Sequence, residues 1–101
     1  MSYKGYKDQE CYIKSRELRI WISDLVKKFP SHEKYYLTAQ IVDCSGSITR
    51  NIAEGYGRYS YTDTRHFFII SRGSATETME QLTTAFDKKY ITEEELKSVE
   101  E

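Results

Sequence analysis

Leu37, Ile41, Cys44, Ile48 and Ile52 recur at steps of four, three, four and four, the spacing of one helix face. This is the cleanest amphipathic stripe in the chain, and it predicts a helix over about 32–54. Ser31 stands as its N-cap with Glu33 in the first turn. Gly55 or Gly57 is expected to close it in the left-handed conformation that helix ends favour. An earlier face, made by Leu18, Ile22, Leu25 and Phe29 and widened by Trp21, predicts a helix over about 8–28. Tyr12 and Ile13 are candidates for its first turns. Lys27 and Lys28 suit the negative end of its dipole. Phe29-Pro30 stops it, because a residue before proline disfavours the helical region. Residues 1–7 read as a loose leader.

A third helix is expected over about 61–88, with Ser60 or Thr62 as cap and Asp63 favouring its N-terminus. Its stripe is Phe68, Ala75, Met79, Leu82 and Phe86, and Phe67, Ile69 and Ile70 add bulk beside it. The early part of this helix is apolar on several sides, so one face should meet its own bundle and another should meet something else. Thr92 and Glu95 have the spacing of a capping box and open a fourth helix over about 93–101, with Leu96 and Val99 as its first apolar positions. So short a helix does not persist alone. It either docks on the bundle or is the start of a longer helix cut short. No segment has strand periodicity, and no repeat or low-complexity tract is visible. The expected fold is a single all-α domain over 1–101, an antiparallel up-down four-helix bundle with a short or truncated fourth helix.

Gly46 and Gly73 lie inside helical patterns, where each costs about 1 kcal/mol relative to alanine. Folding the second and third helices back about Tyr59 puts the two glycines at one height, flanked by Ser45, Ser47, Ser74 and Ala75. The expectation is a close approach of the two backbones there, so both glycines are candidate structural or interface residues.

Composition narrows the picture further. A chain of 101 residues is one domain. It buries only roughly 60–65% of its unfolded surface, so assembly is a natural way to hide more. Residues 1–60 hold ten Lys/Arg against seven Asp/Glu, whereas 61–101 hold five against nine. Any anion-binding face must therefore be local. Cys11 and Cys44 form no CxxC pair and have no neighbouring histidine, so a metal knuckle is excluded by spacing, and both read as reduced core residues. The polar N-terminus and the lack of any run of roughly 18 apolar residues leave no membrane role and make the cytoplasm the expected compartment.

Tyr56, Arg58, Tyr59, Tyr61, Arg65 and His66 make the one aromatic-basic cluster. Tyrosines there can stack on bases while arginines hold phosphates. The same residue types also anchor protein contacts. Tyr56, Arg58, Tyr59, Arg65 and Arg72 are the candidate partner or nucleic-acid contacts. Asn51, Glu54, Gly55 and Glu77 are candidate structural or interface residues, the carboxylates bridging helices or subunits with Arg58 and Arg72 nearby. Glu54 and Glu77 lack the Glu-x-x-His partners of a ferritin-type metal site. No Gly-x-Ser-x-Gly elbow is present, and Gly55-Tyr56-Gly57 has neither the preceding strand nor the third glycine of a dinucleotide site. No catalytic residue, cofactor, metal or small-molecule substrate is expected.

A set of motifs carries a family resemblance. These are Phe29-Pro30 with Glu33, Tyr36-Leu37-Thr38, Gln40-Ile41, Ser47-Ile48, the octet Asn51-Ile52-Ala53-Glu54-Gly55-Tyr56-Gly57-Arg58, and Phe67. Arg72-Gly73-Ser74, Glu77, Gln81-Leu82 and Tyr90-Ile91 complete it. From about Glu10 onward the chain resembles the four-helix-bundle family of 23S rRNA intervening-sequence proteins. The accessory variability determinant of diversity-generating retroelements is similar. The resemblance implies a non-enzymatic scaffold or adaptor that assembles into a ring, typically a homopentamer. RNA, DNA or a reverse-transcriptase-like protein is the outside partner it implies. The alternative is a purely structural self-assembling bundle with no nucleic-acid role. Two departures matter: Val42-Asp43 stands where family members usually carry two basic residues, which weakens the nucleic-acid reading, and the long fourth helix is missing, which leaves one side of the bundle uncovered unless the chain is a fragment or neighbours cover it.

Overall fold

The computed structural model describes residues 5–99. It is all-α, with four helices and no strand among the described residues. α1 is Glu10–Leu25, α2 Leu37–Tyr56, α3 Tyr61–Asp87 and α4 Glu93–Ser98. Short 3-10 turns at Tyr6–Asp8, Val26–Lys28 and Ser31–Glu33 frame α1 and lead into α2. The molecule measures 46 × 25 × 22 Å.

α2 is the central helix, packed on α1 along one side and on α3 along the other. Its whole stripe, Leu37, Ile41, Cys44, Ile48 and Ile52, is buried. Ile22, Leu25 and Phe29 meet it from the α1 side, and Leu82, Ala85, Ile91 and Leu96 complete the core from α3 onward. The α2–α3 hairpin is antiparallel with a steady register: Cys44 meets Thr78, Ser47 meets Ser74, Ile48 meets Ser71 and Gly55 meets Phe68.

Several local features differ from the sequence pattern. α2 begins at Leu37 rather than near residue 32, and no side chain caps it from Ser31. Glu33 is buried beneath that start instead, because its carboxylate accepts the Leu37 amide at 3.3 Å. Neither Gly55 nor Gly57 is left-handed. Gly55 lies within α2, and Gly57 closes it at φ −82 with its amide shared between the Ala53 and Glu54 carbonyls. The left-handed residue is Lys89 (φ 66), which ends α3. The Lys89 amide donates to Phe86 O and the Tyr90 amide to Ala85 O, a Schellman closure.

The face that α3 turns inward is Ser71, Thr78, Leu82 and Ala85. Ala75, Met79 and Phe86 are only partly buried, and Phe68 is 41% exposed. Small hydroxyl side chains can line this face because each finds an acceptor: Ser71 donates to Ile48 O at 2.9 Å and Thr78 to Ser74 O at 2.8 Å. The expected leader is structured over Tyr6–Lys7, where the Tyr6 ring packs edge-on against Tyr12. Residues 1–4 of that expectation lie outside the described residues, as do 100 and 101 of the fourth helix. Cys44 is buried, but Cys11 is exposed on α1.

Candidate partner-contact surface

The tip of the α2–α3 hairpin separates the aromatic-basic cluster into two parts. Arg58 is engaged by the bundle: it donates to Glu54 Oε2 at 2.6 Å, and its guanidinium lies 4.6 Å from the centre of the Phe67 ring. The pair sits one turn apart on the α2 end, so it is a helix-surface bridge rather than a bridge between helices. Tyr56 is half-buried, its ring set edge-on to Tyr6 at 6.5 Å. Arg50 is likewise paired, with Asp43 Oδ1 at 3.3 Å. Asp43 therefore neutralises charge on α2 as well as replacing it.

The second part is open to solvent. Tyr59 is fully exposed at the turn, and Tyr61 largely so at the first residue of α3. Arg65 and Arg72 follow on α3, two turns apart, so they share one face about 10.5 Å apart along the axis. Tyr61, Thr64, Arg65, Phe68, Ile69 and Arg72 line a shallow depression along it. Neither guanidinium has a side-chain partner among the described residues. His66 turns aside, its ring against Phe67 at 5.5 Å.

The structural candidates divide as well. Asn51 donates to Ser47 O at 2.8 Å and to Ser47 Oγ at 2.9 Å. Ser47 Oγ in turn shares a 2.8 Å hydrogen bond with Ser74 Oγ across the helices. Gly46 and Gly73 flank that bond at one height, but they do not bring the backbones together. A methyl group at Gly73 would meet nothing within 4 Å, and one at Gly46 would meet only the Arg50 guanidinium. The close approach is at Gly55, where a methyl would lie 2.9 Å from the Phe68 ring and 3.1 Å from Phe67 Cβ. Hydroxyls set the height of the upper crossing, and a glycine sets the spacing of the lower one. Glu77 is exposed on α3 and forms no ion pair among the described residues.

What the sequence pattern missed is the buried role of Glu33, which it placed in a helix first turn. Glu33 is 4% exposed and accepts from Tyr90 Oη at 2.7 Å, Lys88 Nζ at 3.0 Å and the Leu37 amide. Hydrogen bonding from Tyr90, then Lys88, holds its carboxyl far below the ordinary range, at about 2. The same bond raises Tyr90 and Lys88 above their usual values. Nothing local in the sequence marks Glu33 as buried, since its charged and phenolic partners follow the far end of α3. No cluster of His, Cys, Asp or Glu among the described residues could hold a metal ion. Burial pushes the Cys44 thiol up, which makes it a poor nucleophile or ligand.

The family model for the 23S rRNA-intervening sequence protein matches residues 7–101. The chain belongs to that family. No curated protein matches the sequence. The family octet maps onto features just described: Asn51 holds Ser47, Glu54 holds Arg58, and Gly55 admits Phe68. In this member the octet is thus the lower half of the α2–α3 junction. No helix among the described residues is long and apolar enough to cross a membrane.

Proposed function

We propose that this family member is a non-enzymatic, self-assembling scaffold, with the five-membered ring favoured by the resemblance stated above. The observation that supports it is the pair Ile69 and Ile70, 44% and 38% exposed in the body of α3. Neighbouring helix residues point about 100° apart, so one core cannot cover both. Ile13 and Ile20, 43% and 48% exposed, form a second outward stripe two turns long on α1. Apolar residues repeated along two helix surfaces of one small chain suit side-by-side packing of identical copies. The free thiols Cys11 and Cys44 suit the cytoplasm. Light scattering on the purified chain tests the reading. The expected mass is a multiple of 11.9 kDa, with five copies preferred, and a monomer at micromolar concentration overturns it.

In this reading the assembled surface presents Tyr59, Tyr61, Arg65 and Arg72 to nucleic acid or to an enzyme that handles it, the tyrosines for stacking and the arginines for phosphate. A second reading, assembly with no nucleic-acid role, is favoured by the engagement of Arg50 and Arg58 with Asp43 and Glu54. Gel-shift titration at low salt separates them, because phosphate contacts are strongest there.

A further inference from the structure

The outward faces of α1 and α3 carry matching features that neither uses within the chain. On α1, Ile13, Arg16 and Ile20 follow at steps of three and four, and all three are exposed. Arg16 has no hydrogen bond or ion pair among the described residues, whereas Lys14 is held by Glu10 and Lys27 by Asp24. On α3, Ile70, Gly73 and Glu77 repeat the same spacing and are exposed as well. Each residue advances about 100° round a helix, so each trio spans only about 60°. Gly73 has open space around it, so nothing inside the chain offsets the helix propensity that a glycine forfeits there. Neither face lies on the α4 side. α4 rests against Leu18 and Trp21, and Trp21 is about 100° round α1 from Ile20. Arg72 is about 100° from Gly73 on the side away from Glu77, so the depression bordered by Arg65 and Arg72 also lies outside the α3 face.

We propose that these two faces meet between copies: α1 of one chain packs on α3 of the next, and Arg16 crosses Gly73 to pair with Glu77. The inference rests on the self-assembly proposed above and names the surfaces that carry it. Within a chain α1 and α3 both run antiparallel to α2. A rotation about an axis along the bundle therefore brings α1 and the next α3 together parallel, with Ile13 beside Ile70 and Arg16 beside Gly73. The missing side chain at Gly73 leaves room for the arginine stem against the helix backbone, and the flanking isoleucines exclude water from the ion pair. Under the same kind of rotation, α1 on α1 sets Arg16 opposite Arg16, and α3 on α3 sets Glu77 opposite Glu77. Opposite charge thus favours the contact between unlike faces, the kind that repeats from copy to copy and closes into a ring.

Charge reversal tests the pairing. Sedimentation equilibrium over a dilution series compares the full chain with Arg16→Glu, Glu77→Arg and the double variant. Each single reversal should raise the concentration at which the assembly dissociates by about tenfold, because a lost pair is replaced by a like-charge contact. The double variant should return it to the level of the unaltered chain. Both side chains are exposed and unpartnered within the chain, so circular dichroism melts should show the fold intact in every variant. Gly73→Leu should also dissociate the assembly while the diluted chain keeps its helix content, since leucine favours a helix more than glycine does. An assembled chain indifferent to both reversals, or a double variant as weak as the singles, overturns this contact and leaves self-assembly standing. An unaltered chain that is monomeric throughout the series removes both.

Discussion

The phenol of Tyr90 donates to the carboxylate of Glu33 at 2.7 Å, tying the residue that follows the end of α3 to the turn that precedes α2. Lys88 reaches the same oxygen at 3.0 Å. Three donors converge on one inward-facing carboxylate, and the group is strongly biased toward its ionised form. Its value is lowered on folding from 4.5 to about 2. A lowered folded-state value means that the stabilisation is complete above the unfolded value and disappears as pH falls through the folded one. The chain should therefore lose stability progressively from about pH 4.5 down to about 2. Denaturant melts across that range measure the slope. Glu33→Gln should flatten it and lower stability at neutral pH. An unchanged slope in the variant would show that another carboxylate governs it.

The two glycines with opposite surroundings give a paired prediction. Gly73→Ala places a methyl group in open space on an exposed helix face. It should stabilise the chain by about 1 kcal/mol through helix propensity alone. Gly55→Ala has the same propensity gain but drives a methyl into the Phe68 ring and against Phe67 Cβ. Overpacking of this kind costs about 1–3 kcal/mol, so a net loss is expected. Urea denaturation of the two variants side by side reads the difference directly.

Lys89 holds a left-handed backbone that glycine occupies without strain. Lys89→Gly should raise stability by roughly 0.5–1 kcal/mol, with the Schellman hydrogen bonds retained. A decrease would mean that the lysine side chain contributes a contact of its own.

Ser47 and Ser74 form the hydrogen bond that sets the height of α2 against α3. A double-mutant cycle with Ser47→Ala and Ser74→Ala should return a coupling energy of about 1 kcal/mol. Asn51 also leans on Ser47, so Ser47→Ala alone should cost more than Ser74→Ala.

If the exposed part of the aromatic-basic cluster binds phosphate, the arginines of α3 and α2 should behave differently. Arg65→Ala and Arg72→Ala should each weaken RNA or DNA binding and reduce the salt slope by about one. Arg58→Ala should leave both nearly unchanged, because Arg58 is occupied by Glu54 and Phe67. Equal effects at all three positions would erase the distinction drawn from the geometry.

What the sequence made legible was local and periodic. The α2 stripe repeats with helix spacing because one face must meet two neighbours, and every member of it is buried. The capping box at Thr92 and Glu95 needs only residues three apart, and both of its hydrogen bonds are present. What stayed hidden depended on distant partners or on small polar groups. Glu33 turns inward because Lys88 and Tyr90 are there to meet it. Ser71 and Thr78 take the inner face of α3 because each has an acceptor, while bulkier Phe68 stays partly exposed beside Gly55. Arg58 and Arg65 look equivalent in the sequence, and only the position of Glu54 relative to the hairpin tip separates them.

The contrast between the two sulfhydryls has a practical consequence. Cys44 is enclosed, its sulfur 3.2 Å from the Thr78 hydroxyl, whereas Cys11 faces outward. A maleimide spin probe should consequently react at one position without any engineering of the chain. Dipolar spectroscopy on such a sample would then read the geometry of the particle: a closed five-fold arrangement gives two inter-probe spacings in equal number, whereas a dimer or trimer gives one.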